Sequence, residues 1–127
     1  LEIDVRDVDE NRRDRVLERI RAAIHEAAGE RGVHHRIEEL YRDGPARSDA
    51  ALLEAIEATC LELGIPFLRM KSRAYHDTVF MARLCPVAMI FIPCREGLSH
   101  CPEEYASPEN IAWGVRVLAG TIARLAS

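Results

Sequence analysis

No stretch of this sequence is long and apolar enough to cross a bilayer. The continuous apolar run from Val87 to Ile92 falls far short of the roughly 20 residues a spanning helix needs, so no membrane partner is expected. The opening residues lack the basic, apolar, small-residue order of a secretory signal. There is no positive excess either: 17 basic against 21 acidic residues give a formal net charge of −4, which leaves no electrostatic footprint for nucleic acid. Arg12, Arg13, Arg15, Arg19 and Arg21 alternate with acids and read as a solvated helix face. None of the four cysteines, Cys60, Cys85, Cys94 and Cys101, forms a Cys-x-x-Cys pair. Cys60 and Cys85, set among apolar residues, read as small core hydrophobes, and a reduced, cytoplasmic protein is expected. A Gly-x-Ser-x-Gly elbow and a glycine-rich phosphate loop are both missing, which counts against a Ser-His-Asp hydrolase and against a P-loop nucleotide site.

What is present is a soluble globular composition, 48% hydrophobic and 30% charged, arranged in helical and strand periods. Leu1, Ile3 and Val5 alternate with Glu2, Asp4 and Arg6, a strand pattern that starts without Met and reads as part of a longer chain. Asp9 is a helix N-cap, and Val16, Leu17, Ile20, Ile24, Ala27 and Ala28 follow at helical spacing up to Gly29 and Gly32. Residues 33–41 alternate as a second strand, with His34 and His35 as strand residues. Asp43-Gly44-Pro45 is the clearest break in the chain. It divides an α+β segment, 1–44, from an α/β segment, 45–127.

In the second segment Ser48 is placed as the cap of a helix with Leu52, Ile56, Cys60 and Leu63 on one face and Gly64 at its end. A short strand over 66–70, a helix from Asp77 to Cys85 and a doubly buried strand over 87–92 follow. Ser107 and Pro108 then open a last helix with Ile111, Val115, Leu118, Ile122 and Leu125 in register. The fold class is α/β, parallel strands covered by helices. Two strands and three helices are too few to close such a sheet. If the strands are parallel, the loops after them, 71–76 and 94–106, share the edge of the sheet where ligands bind.

Those loops hold Ser72, Arg73, Tyr75, His76, Ser99, His100, Glu103 and Glu104. His100, between a buried strand and an acid pair, is a candidate metal ligand or catalytic group. Its second ring nitrogen calls for an acceptor, and Glu104 is the nearer candidate for an ordered loop contact. His76 is either locally bonded beside a capping Asp77 or aimed at a cleft, where it would stabilise an oxyanion or bind substrate. Cys94, Cys101 and His100 raise a structural zinc as an alternative, against their spacing.

In order and spacing, Ile3-Asp4-Val5-Arg6, Ser72 with Ala74 and His76-Asp77, Met89-Ile90-Phe91-Ile92-Pro93, and Gly97-Leu98-Ser99-His100 followed by Pro102 and Glu104 resemble a known group. It is the C-terminal portion of the hydantoinase/carbamoylase family of two-metal amidohydrolases, within the aminoacylase and carboxypeptidase superfamily. The resemblance implies hydrolysis of a linear amide or ureido C–N bond in a small carboxylate-bearing substrate, with two divalent ions, zinc or manganese, in the complete enzyme. It implies His100 as a metal ligand, with Ser99 and Glu104 supporting it. Arg6 would grip the substrate carboxylate, with Ser72, Gly97 and His76 near the substrate. It also implies a homodimer through the lid domain. Residues 1–44 would end that lid and 45–127 the catalytic domain, and no ion is expected to bind this chain tightly on its own. Arg73 and Tyr75 stand where the family has glycines. The rival reading is a non-catalytic lid or dimerisation module, or a pseudoenzyme without a complete metal site.

Overall fold

The structure, a computed structural model, describes residues 1–127. Four helices form where sequence signals agree. Asp9 accepts the Arg12 amide and starts α1, Glu10–Arg31. The helix runs through Gly29 and stops at Gly32, whose φ of 60° suits glycine and whose N–H turns back to the last carbonyls. Ala28 and Arg13 are buried on its inner side, whereas Val16 is exposed. The Arg13 stem is covered because its guanidinium donates to the Asp43 carbonyl.

Helix α2, Ala50–Leu63, is capped by Asp49 rather than Ser48. The Asp49 carboxylate stands three residues before Leu52 and takes its amide at 3.0 Å; an anion is also favoured at a helix N-terminus. Gly64, with φ 65°, ends it as expected. The helix placed over 77–85 is a single turn, α3, Thr78–Met81. Beyond it the backbone continues in turns, with Leu84 and Cys85 both donating to the Met81 carbonyl. Cys85 is exposed there and is not a core residue; Cys60 is buried. Helix α4, Pro108–Leu125, has Ser107 as N-cap, accepting the Asn110 amide, and Pro108 in its first turn.

The parallel sheet of the sequence reading is not displayed within residues 1–127. Residues 1–6, 33–41, 66–70 and 87–92 form no ladder, and the chain contains no β-strand. A strand is defined by its neighbour's backbone groups, and a parallel pair without flanking strands is weak. The Val87 carbonyl is instead taken by the Asp49 amide at 2.8 Å, at the start of α2. Val87 is buried, but Phe91 is 45% exposed, so the run 87–92 is not covered on both faces.

The chain divides into two compact units: residues 1–46 with 71–79, and residues 47–70 with 80–127. The first gathers α1 and the loop 71–77. The second is built on α2 against α4. Gly120 permits that approach, since a Cβ there would sit 2.7 Å from Thr59 Cγ2. Val117 and Thr121 are the buried residues of α4. The longer stripe Ile111, Val115, Leu118 and Ile122 instead lines an open apolar groove with Ile56 and Ile90.

Candidate functional site

The first unit brings Arg6, Ser72 and His76 into one body. Arg6 lies in the N-terminal segment whose alternation places Asp4 on the same side. The Asp4 carboxylate accepts from Arg6 Nε at 2.9 Å and from Nη2 at 2.6 Å. Arg6 Nη1 donates to the Arg73 carbonyl at 3.3 Å, which ties the N-terminal segment to the loop 71–77. The paired guanidinium holds the Asp4 carboxyl below its ordinary range, and Asp4 in turn raises Arg6.

Ser72 Oγ and His76 Nε2 are 2.6 Å apart. Ser72 Oγ also accepts the Ala74 amide at 3.2 Å, closing a short turn that fixes the imidazole. Val79 N–H donates to the His76 carbonyl at 2.9 Å, which anchors His76 to the turn of α3. Tyr75, one of the two departures from the resembled family's glycines, places its hydroxyl on Asp43 Oδ2. Both Ser72 and His76 are half-buried.

The second unit carries Gly97, Ser99, His100 and Glu104 on the loop before α4. A tight turn, Arg95–Gly97, starts it. Glu96, Gly97 and His100 all have positive φ, 55°, 68° and 58°. Gly97 adopts this at no steric cost; the other two do so under strain. Glu104 Oε2 accepts the backbone N–H of His100 at 2.9 Å. The expected loop contact of Glu104 therefore exists, and it engages the backbone of His100 rather than its ring. Ser99 and His100 are exposed.

No group of three or more His, Cys, Asp or Glu side chains converges on a point that could hold an ion. Cys94, Cys101 and His100 thus form no zinc cluster, and all four cysteines are free. His34 and His35 were read as plain strand residues. His35 Nε2 in fact meets His25 Nδ1 at 2.7 Å, with the rings edge to face. The contacts of Asp4, Asp43 and Arg95 are not assigned by the sequence, although Asp4 and Asp43 lie within the motif and the break it marks. Only Asp4 carried a usable signal, its two-residue spacing from Arg6. No helix is long and apolar enough to cross a membrane.

The family model described as Peptidase family M20/M25/M40 matches residues 5–124. The chain is 49% identical over 98% of its length to a ureidoglycolate hydrolase of Oryza sativa subsp. japonica, spanning 26% of that protein. It is 36% identical to an N-carbamoyl-L-amino acid amidohydrolase of Geobacillus stearothermophilus over 98% of its length, and 30% of that relative. A solved structure of AtUAH in complex with (S)-hydroxyglycine superposes with a TM-score of 0.87 and 44% identity, over 94% of this chain and 28% of that one. The chain thus spans between a quarter and a third of the length of the curated relatives it matches. These relatives support an α/β class that the helices alone do not display. By the match over residues 5–124, the chain belongs to Peptidase family M20/M25/M40.

Proposed function

We propose that this chain supplies the carboxylate-gripping and loop-borne histidine parts of an amidohydrolase that cleaves a linear amide or ureido C–N bond. The substrate class is an N-carbamoyl amino acid, allantoate or ureidoglycolate. The observation that carries the reading is the Arg6 guanidinium. Asp4 takes its side-on edge, Nε and Nη2, and Nη1 donates to the Arg73 carbonyl, so a substrate carboxylate would be gripped end-on by the remaining N–H groups of Nη1 and Nη2. Planar bidentate pairing suits that task. Similarity to a ureidoglycolate hydrolase and an N-carbamoyl-L-amino acid amidohydrolase supports the substrate class.

In this reading residues 1–44 belong to the lid and 45–127 to the catalytic domain. His76, fixed by Ser72, donates to the oxygen of the scissile carbonyl as charge develops there. Gly97 lets the backbone come close to substrate. His100 fits one position in the coordination of a zinc or manganese ion: its imidazole is exposed and its backbone is tied by Glu104. The remaining donors would lie outside residues 1–127. When bound, the two ions would polarise the carbonyl and activate water. The protein would work in the cytoplasm as a homodimer joined through the lid.

The test is a substrate screen of the full-length protein, loaded with zinc or manganese, on N-carbamoyl amino acids, allantoate and ureidoglycolate. Turnover of at least one, lost on chelation and restored by metal, is expected. No turnover on any of them would favour the non-catalytic lid module.

A further inference from the structure

The loop carrying His100 is shut by a contact that the assignments above do not use. The Arg95 amide donates to the Tyr105 carbonyl at 2.8 Å. The Arg95 guanidinium carbon stands 4.4 Å from the centroid of the Tyr105 ring, well inside the range of a cation–π contact. One step further out, Asn110 Nδ2 donates to the Pro93 carbonyl at 3.0 Å. Both ends of the loop are therefore tied to each other, and the outer tie comes from the first turn of α4.

The inside of the loop is under strain. Glu96 and His100 both carry side chains at positive φ, a conformation that persists only when the surroundings over-determine it. Two short backbone bonds, Gly97 to Cys94 and Glu104 to Cys101, fold each half of the loop. The Glu104 carboxylate then holds the His100 amide at 2.9 Å. Glu104 is adjacent to Tyr105, so the clasp fixes the residue that ties His100. If the ends parted, Glu104 would move with Tyr105 and the left-handed turn at His100 would relax.

We propose that Tyr105, clasped by Arg95, is a positioning residue that holds His100 in the left-handed conformation needed to present its imidazole to a divalent cation. The conformational part stands on the loop geometry alone; the cation part rests on the proposed role of His100. The Tyr105 ring face makes the contact, so the hydroxyl is dispensable.

The experiment uses the full-length protein. In the metal-free form, hydrogen exchange is read at the His100 amide and along α4; zinc affinity is read by competition with a chromophoric chelator. Tyr105→Leu should speed exchange at His100 about tenfold, as for a local opening, with α4 unchanged. It should weaken zinc by about 10–100-fold, the range typical of residues that orient a ligand. Tyr105→Phe should match wild type in both. Arg95→Gln, which keeps the backbone bond and removes the cation, should behave like Tyr105→Leu and serves where that variant folds poorly. Unchanged exchange at His100, or equal acceleration throughout α4, would overturn the clasp. His100→Ala separates the two layers. If it leaves zinc affinity intact while Tyr105→Leu still frees the His100 amide, the ligand role of His100 falls and the clasp stands. If His100→Ala weakens zinc and Tyr105→Leu does not, the positioning role is overturned.

Discussion

Asp4 holds Arg6 from the side, with its carboxylate on Nε and Nη2, while Nη1 reaches the Arg73 carbonyl. Of the five N–H donors of Arg6, one each on Nε, Nη2 and Nη1 is committed within the chain. Asp4 is thus an orienting partner for Arg6. Asp4→Asn keeps an oxygen acceptor but removes the charge and half of the fork. In the full-length enzyme it should raise KM for carboxylate-bearing substrates several-fold and leave metal content unchanged. An unaltered KM would mean that Arg6 orients itself.

Arg6→Lys is the sharper test of the same group. Lysine preserves the charge but not the planar fork. Loss of a bidentate clamp displaces the substrate, and a displacement of about 1 Å can cost ~10²-fold in rate. A drop in kcat/KM of that order is expected on every carboxylate substrate. Wild-type kinetics in Arg6→Lys would leave the lid as a cover and dimer contact only.

Glu39 gives a pH prediction. Arg42 donates to it through Nε at 2.6 Å and Nη2 at 2.9 Å, and Arg21 adds a second guanidinium. These partners, Arg42 first, hold the Glu39 carboxyl down to about 2 from an ordinary 4.5. The folded value lies below the unfolded one. The contribution of Glu39 is therefore complete above about 4.5 and is lost as pH falls toward about 2. The cluster is exposed, so the effect is small and weakened by salt. The thermal midpoint of Glu39→Gln should lie below wild type at pH 7, and the gap should close by pH 2. A gap independent of pH would show that Glu39 acts through something other than its charge, and no gap at pH 7 would show that the cluster adds nothing to stability.

The ends of α4 and α2 allow a calibration of the helical frame. Ser107→Ala orphans the Asn110 amide and should cost about 1 kcal/mol. Gly64 sits at φ 65° with open space around its missing Cβ. Gly64→Ala should therefore destabilise by about 1 kcal/mol through backbone strain alone. Denaturant midpoints of the two variants, which should both fall with unchanged slope, check this. A neutral Gly64→Ala would mean that the end of α2 is free to rearrange.

Helices were legible because their signals are local. Asp9, Gly32, Gly64, Ser107 and Pro108 each act within one turn of the helix they delimit. The sheet was not, because Val87–Ile92 spells strand only in company: its unbroken apolar run predicts a burial that neighbouring backbone must provide. The chain spans 26% of its rice relative, and within 1–127 no ladder forms. Arg6 and His100, the residues proposed to grip substrate and metal, were named from motif order by resemblance. The contacts that orient them, Asp4 on Arg6 and Tyr105 under Arg95, are set by how loops close and have no motif of their own. The two-residue offset between Asp4 and Arg6 was the one hint in plain view.

The last prediction separates the two proposed roles by metal content. Arg6 and His100 lie in different compact units, and neither shares a hydrogen-bond partner with the other. Their defects should therefore be independent. In the full-length enzyme Arg6→Ala should lose carboxylate recognition, raising KM and lowering kcat/KM, yet carry as much zinc or manganese as wild type. His100→Ala should do the opposite: metal occupancy falls, and turnover falls with it on every substrate regardless of its carboxylate. Adding excess metal should recover part of the His100→Ala activity and none of the Arg6→Ala activity, because mass action refills a weakened site but cannot replace a missing guanidinium. Elemental analysis of both purified variants, alongside kinetics at rising metal concentration, decides the matter. Equal metal loss in the two variants would mean that Arg6 acts through the metal site, and full metal retention in His100→Ala would remove His100 from the ligand set.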